Sequence, residues 1–231
     1  MTGRIGIIGG HSLPSAEFAS SAALEVLNGV ELLVDDRTVV LARHGLSTFT
    51  PAFRIDHAGN LAALVAAGVD RVVAFCSVGS LRTDWGIGSV VLPDDVFAPW
   101  INPSIFDDAR GHSMPGFNMP WRSAVMAAWH HSTTTPIHDG GVYVHTQGPR
   151  FETAAEIRFY ATVADIVGMT LATEFVIAAE LGLAYAAVCT VDNMANGLAN
   201  QALTVDEFRA GVAANHDRML SDATALVEAL A

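Results

Sequence analysis

Arg4-Ile5-Gly6-Ile7-Ile8-Gly9-Gly10-His11-Ser12 is the stretch that decides how this chain is read. A short isoleucine-rich run, too brief for a typical helix, stops at a glycine pair, and helical spacing follows near residues 15–28. Strand, glycine turn and helix make the opening of an α/β unit. Such a turn also lets backbone N–H groups face an anion, although a bare Gly-Gly turn is structural as often as functional.

The same alternation recurs outward from that stretch. Apolar runs predict strands at Arg4–Ile8, Thr38–Ala42, Val72–Cys76, Val90–Leu92, Val142–His145, Asp165–Val167 and Tyr185–Thr190. Helical patterns lie near 15–28, 56–68, 118–130, 153–163, 172–182 and 204–230. Thr153-x-x-Glu156 and Thr204-x-x-Glu207 spell capping boxes, which satisfy free N–H groups at a helix start. The pattern predicts an α/β fold, a single domain over residues 1–231 with a central mixed, mostly parallel sheet flanked by helices. The Pro-, Asp- and Gly-rich stretch from Pro93 to Pro120 reads as a long excursion, of the kind that is usually functional or interface-forming.

Composition narrows the chemistry. All 12 Lys+Arg residues are arginine, so no lysine exists to hold a nucleotide phosphate, form a Schiff base or act as a general base. Against 24 acidic residues the net charge is −12, which disfavours nucleic acid and anionic membrane as partners. Any bound anion must be held locally, by arginine, histidine or backbone N–H. The 51% hydrophobic content with 16% charged residues indicates a large buried core. Cys76 and Cys189 sit in apolar runs and read as buried free thiols. The apolar part of the N-terminus is shorter than a signal-peptide core, and the apolar region Met169–Val191 is interrupted by Glu174 and Glu180. A soluble, cytoplasmic protein is expected. His130-His131 lacks metal-ligand spacing and reads as a solvated helix end, so no metal is expected.

Several chemistry-bearing spots share one location. Gly9-Gly10-His11-Ser12, Arg43-His44-Gly45, Cys76-Ser77-Val78-Gly79-Ser80, Gly168-Met169-Thr170 and Asp192-Asn193 all fall where a predicted strand ends. Gly148-Pro149-Arg150-Phe151-Glu152-Thr153 enters a capped helix. In open α/β sheets ligands bind at the carboxyl ends of strands, so the segments should converge. Alone, each has a bland alternative: Arg43-His44 as a surface turn, for example. Ser77 lacks the G-x-S-x-G frame of a nucleophile elbow, and a backbone anion loop suits it better.

The ordered set Ile5-Gly6-Ile7-Ile8-Gly9-Gly10, Arg43-His44-Gly45, Gly68–Val73 with Ser77-Val78-Gly79-Ser80-Leu81, Gln147–Glu156 and Gly168-Met169-Thr170 resembles the purine nucleoside phosphorylase / methylthioadenosine phosphorylase family over essentially the whole chain. The resemblance implies a homotrimer that uses inorganic phosphate to split a purine nucleoside into free base and sugar 1-phosphate, without metal or organic cofactor, in purine salvage. It assigns phosphate to His11 or Ser12, Arg43, His44, Cys76, Ser77 and Thr170. It places Met169 and His57 on the ribose, His57 standing where a tyrosine is frequent; the alternative for His57 is a partly exposed helix residue.

The base falls to Phe151, Glu152 and Asn193, with Asn193, Glu152 and His44 as the catalytic set. Members that cleave 6-aminopurine nucleosides resemble one another in a T-D-x-D pattern, here Asp192-Asn193-Met194-Ala195. An asparagine amide can donate to purine O6 and N7, which an ionised aspartate cannot. Glu152 would accept from a purine N1–H, which adenine lacks; otherwise it merely caps a helix. Both positions imply a 6-oxopurine. Val205 and Phe208, one turn apart, would line an apolar 5′ pocket or form the buried face of the last helix, and His112 or Phe117 would close the pocket across a subunit interface.

The implied substrate is 5′-methylthioinosine, inosine or guanosine. Methylthioadenosine phosphorolysis, or an idle binding protein on the same scaffold, stands as the alternative. Three departures from the family pattern stand out: His11 in place of serine or threonine, Thr173 in place of proline before Glu174, and a short chain. Arg43 is the only permanent side-chain cation assigned to phosphate, so Arg43→Ala is expected to abolish phosphate dependence without unfolding the protein.

Overall fold

The computed structural model describes residues 3–11, 13, 15–198 and 203–231. In chain order the elements are β1 (Arg4–Gly9), α1 (Ser15–Phe18), β2 (Ala23–Leu27), β3 (Val30–Val34), β4 (Thr38–Ala42), α2 (His57–Ala66), β5 (Val69–Ser80), β6 (Val90–Leu92) and β7 (Asp95–Phe97). There follow α3 (Met119–Ser132), β8 (Ile137–Asp139), β9 (Val142–His145), α4 (Ala154–Tyr160), β10 (Ile166–Gly168), α5 (Leu171–Glu180), β11 (Ala184–Met194) and α6 (Val205–Leu230). All strands join one mixed sheet whose main path runs β2-β3-β4-β1-β5-β10-β9-β7, with β11 on β5 and then β6 and β8 beyond it. Parallel pairing predominates, as the alternating pattern predicts.

The period of β5 separates the two halves of the core. Val72, Ala74, Cys76 and Val78 point into one cluster with Leu61 and Leu64 of α2 and Phe175, Ile177 and Ala178 of α5. Val73 and Phe75 point into the other, with Trp121, Val125 and Trp129 of α3 and Met219, Ala223 and Leu226 of α6. A strand buried on both faces reads as a continuous apolar run because neither parity meets water.

One prediction is corrected. Residues 15–28 are not one helix: only Ser15–Phe18 is helical, and Ala23–Leu27 pairs antiparallel with Val30–Val34. Leu27 lies opposite Val30, leaving Asn28-Gly29 as a two-residue loop, with φ of 53° and 80°. Positive φ at both loop positions matches the right-handed twist of a hairpin, and Asn-Gly is the pair that adopts it most readily. That local signal outranks the helical spacing.

The position of the site follows from β5. One of its edges is taken by β11 from Arg71 to Ser80. The other edge is shared: β1 runs parallel along it as far as Ala74, and β10 arrives antiparallel at Gly79 and Ser80. Between the two strand ends the edge at Phe75–Val78 has no strand partner. A gap in a sheet bares backbone N–H and C=O groups that something else must satisfy.

Candidate active site

The Arg43 side chain enters this gap. Its Nη1 donates to the Phe75 carbonyl at 2.8 Å, and Nη2 donates to Cys76 Sγ at 3.4 Å. The same guanidinium meets Glu174 of α5 in a two-point pair, Nε to Oε1 at 2.5 Å and Nη2 to Oε2 at 3.0 Å. Tyr185 Oη also donates to Glu174 Oε2 at 2.8 Å, and His57 Nδ1 lies 3.5 Å from Oε1. Arg43 and Glu174 are each 2% exposed. Burial opposes the carboxylate, yet the Arg43 charge and its hydrogen bonds hold Glu174 down to about 2. The fork geometry explains why arginine serves here: one planar cation ties a carboxylate, a bare sheet carbonyl and a thiol together.

A cavity of about 190 Å³ opens beside this network. It is lined by His11, Arg43, His44, Ser77, Thr170 and Met169, and also by Phe151, Glu152, Asn193 and Phe208. The segments that end predicted strands therefore do converge. Tyr143, rising from β9, holds the Thr170 turn: its hydroxyl accepts from the backbone N–H of Thr170 at 3.2 Å and of Leu171 at 3.4 Å.

Asn193 reaches the cavity through an irregularity. In β11, Val191 pairs with Val78 and Asn193 with Gly79, so Asp192 is an extra residue. Bulges of this kind re-aim side chains and are common beside active sites. Asp192 turns away and accepts from Asn215 Nδ2 of α6 at 2.7 Å, while Asn193 Nδ2 donates to the Met194 carbonyl at 3.0 Å. Glu152 is buried, and it does not cap the following helix. The cap is Thr153, closed reciprocally by Glu156. Among the described residues nothing donates a hydrogen bond to the Glu152 carboxylate.

Aromatic rings form one wall. The His11 and His44 ring centroids are 4.4 Å apart, and Phe49 stacks on His44 at 5.5 Å. Phe208 lies 5.7 Å from His11 and 6.0 Å from Phe151, linking the histidine group to the Glu152 loop. Phe49, stacked on His44, and Thr146, on the cavity wall, escape a reading of sequence because neither stands in a recognisable spacing. Tyr143 and Tyr185 escape it because each looks like an ordinary core residue of a strand.

Other predicted site residues lie elsewhere. Cys76 is buried beneath Arg43 and does not line the cavity. His57 is buried against Glu174 rather than partly exposed. Val205, the first residue of α6, is 50% exposed and belongs neither to the cavity wall nor to the buried face of the helix. His112 is exposed in the excursion, where its Nδ1 contacts the Ala109 carbonyl at 3.3 Å. Phe117 is buried in the core against Phe175 at 4.8 Å. Ser12 lies outside the described residues. Among the described residues, no three His, Cys, Asp or Glu side chains are grouped to hold a metal ion, and no helix is long and apolar enough to cross a membrane.

A mixed sheet broken open around a buried arginine, with histidines, a carboxylate and an amide on one small cavity, defines an α/β protein with a small polar pocket at the bare edge of its sheet. The chain belongs to the phosphorylase superfamily, whose sequence profile matches residues 4–230. It is 40% identical over 169 residues to a probable 6-oxopurine nucleoside phosphorylase of Archaeoglobus fulgidus, covering 73% of this chain and 70% of the relative. It is 34% identical to the 6-oxopurine nucleoside phosphorylase of Pyrococcus furiosus, covering 88% and 84%. Identity is also 34% with a probable S-methyl-5′-thioinosine phosphorylase of Methanocaldococcus jannaschii, covering 88% and 83%. The fold is similar to that of methylthioadenosine phosphorylase from Schistosoma mansoni, with TM-score 0.84 at 20% identity over 99% of this chain and 92% of the other.

Proposed function

We propose that this protein catalyses phosphorolysis of a 6-oxopurine nucleoside, with 5′-methylthioinosine, inosine or guanosine as substrate and free base and sugar 1-phosphate as products. The observation that carries the reading is the presence of Glu152 and Asn193 on the cavity that also holds Arg43, His44, Ser77 and Thr170. Phosphate sits against His11, Arg43, His44, Ser77 and the Thr170 turn. Phosphorolysis forms a cationic, oxocarbenium-like sugar between an incoming phosphate dianion and a departing purine, so the protein's work is positioning and electrostatics. Met169 packs on the sugar. Phe208, between His11 and Phe151, supplies an apolar wall for the 5′ substituent, the role the resemblance also gives Val205.

At the base, the Glu152 carboxylate accepts from purine N1–H and the Asn193 amide donates to O6 and N7 as negative charge develops there. An adenine nucleoside presents a lone pair at N1 to that carboxylate, which disfavours the methylthioadenosine alternative. No cofactor is required, since phosphate is itself the second substrate. The protein works in the cytoplasm as a homotrimer.

A panel of inosine, guanosine, 5′-methylthioinosine and 5′-methylthioadenosine, each with and without phosphate, tests the reading. Hypoxanthine or guanine should appear only when phosphate is present. In Glu152→Ala the acceptor is lost, and kcat/KM for the preferred substrate should fall roughly 10- to 100-fold, as expected for a hydrogen bond to a charged group. Equal turnover by that variant would remove Glu152 from base recognition.

A further inference from the structure

The cavity assigned to phosphate offers an anion no net positive charge, and Glu152 adds a carboxylate at the end assigned to the base. The cavity's one permanent cation, Arg43, is already matched by Glu174, and the chain has no lysine to add. A dianion entering such a pocket needs charge from somewhere else. His44 can provide it in only one way. Its Nδ1 lies 2.8 Å from the Thr50 carbonyl, and a carbonyl can only accept, so Nδ1 carries the hydrogen. In the neutral ring Nε2 then holds a lone pair, which repels an anion's oxygen. Protonated, the same nitrogen becomes a charged donor.

Resting on the phosphate reading above, we infer that anion binding here is coupled to uptake of one proton from solvent onto Nε2 of His44, so that the ring enters the complex as imidazolium. The neighbouring groups keep it neutral until then. His11, from the turn after β1, presses its ring on His44 with centroids 4.4 Å apart, so a cation on one ring disfavours a cation on the other. Partial burial, His11 and Arg43 push His44 down to about 4, against the pull of the Thr50 carbonyl and of Glu174 from α5. From α6, which packs on His11 through Phe208, the nearby carboxylates are committed elsewhere. Glu207 accepts from Thr204 at its own helix start, and Asp206 is exposed beside Arg209 at 3.7 Å. Glu174 is the carboxylate that pulls on His44; Glu152, on the same cavity beside Phe151, is assigned to the base, so at the anion end the anion itself supplies the compensating charge.

Sulfate is the clean probe, because it stays a dianion across the pH range used. Titration of the intact protein by calorimetry in two buffers of different ionisation enthalpy counts the protons taken up. The expected result is uptake approaching one proton per sulfate near neutral pH, with affinity falling up to about tenfold per pH unit on the alkaline side. His44→Gln cannot take the proton, so its weaker binding should be independent of pH, whereas His11→Gln should keep the uptake. Sulfate bound with no uptake, or uptake lost in His11→Gln but retained in His44→Gln, overturns the inference. No binding of sulfate, together with no binding of phosphate, overturns the reading of the pocket as an anion site and the inference with it.

Discussion

At the scale of single residues, the structure changes what Arg43 means. From sequence it is a lone cation for phosphate; in the fold it is half of a buried pair whose other half, Glu174, also receives Tyr185. Arg43→Ala would strand a buried carboxylate, and removing one partner of such a pair costs about 3–5 kcal/mol. The variant should lose that much in a denaturant titration, contrary to the expectation of an intact fold. Arg43→Met combined with Glu174→Met should recover most of the stability while remaining inactive. A stable Arg43→Ala protein would show that the pair is not sustained in solution.

A second residue predicts a pH dependence. His145 is 3% exposed, its Nδ1 has no partner among the described residues, and burial holds it down to about 4 against an ordinary 6.5. Between these values the unfolded chain binds the proton and the folded one does not, so stability falls as pH drops from 6.5 towards 4. Each depressed histidine contributes up to about 1.4 kcal/mol per pH unit. Glu174 acts in a lower window, its contribution present above about 4.5 and lost as pH falls towards 2. Unfolding free energies at pH 7 and pH 5 should differ less in His145→Leu than in the parent, by roughly 2 kcal/mol. An unchanged difference would place the titration elsewhere.

At the scale of elements, α6 is held on the sheet by the absence of a side chain. A Cβ at Gly211 would lie 1.7 Å from the Asp192 carbonyl oxygen. This glycine inside a long helical pattern is a visible signal that backbone must approach backbone, but sequence does not reveal against what. Gly211→Ala must push α6 away from the bulge that aims Asn193 and carry Phe208 with it. Overpacking of this kind costs about 1–3 kcal/mol, and KM should rise because both residues line the cavity. Stability and kinetics equal to the parent's would contradict this packing.

Elements also show which signals were legible. Thr38–Ala42, Val90–Leu92 and Val142–His145 match prediction to the residue, because runs buried on both faces declare themselves. The capping boxes at Thr153 and Thr204 form as spelled. The β2–β3 hairpin was present in Asn28-Gly29 but masked by helical spacing before it. The shared edge of β5, which creates the site, could not be read at all. It depends on β10 running antiparallel into the space beyond β1, and chain order does not encode strand order.

At the scale of the whole molecule, the excursion from Pro93 to Pro120 adds only β7, paired with β9, and a short 3-10 turn at Ala109–Gly111. It is anchored where Ser104 Oγ and the Ile105 N–H donate to Glu180 at the end of α5, at 2.8 and 2.7 Å. Trp100 and Phe159 stay half exposed along a cleft that shares Thr146 and Glu152 with the small cavity. Exposed aromatics beside a site are what a neighbouring subunit would cover. The proposed trimer of 24.3 kDa chains should be seen by light scattering, and a monomer at all working concentrations would exclude it.

The absence of lysine, first an exclusion, bears on the cavity proposed for phosphate, which has one arginine paired with Glu174 and two histidines with ring centroids 4.4 Å apart. That phosphate and a 6-oxopurine share one cavity is the central proposal. The direct measurement is the base released from inosine, guanosine, 5′-methylthioinosine and 5′-methylthioadenosine, with and without inorganic phosphate. The prediction is hypoxanthine or guanine, phosphate-dependent and accompanied by an equal amount of sugar 1-phosphate. Release of adenine alone, or release that ignores phosphate, would contradict it.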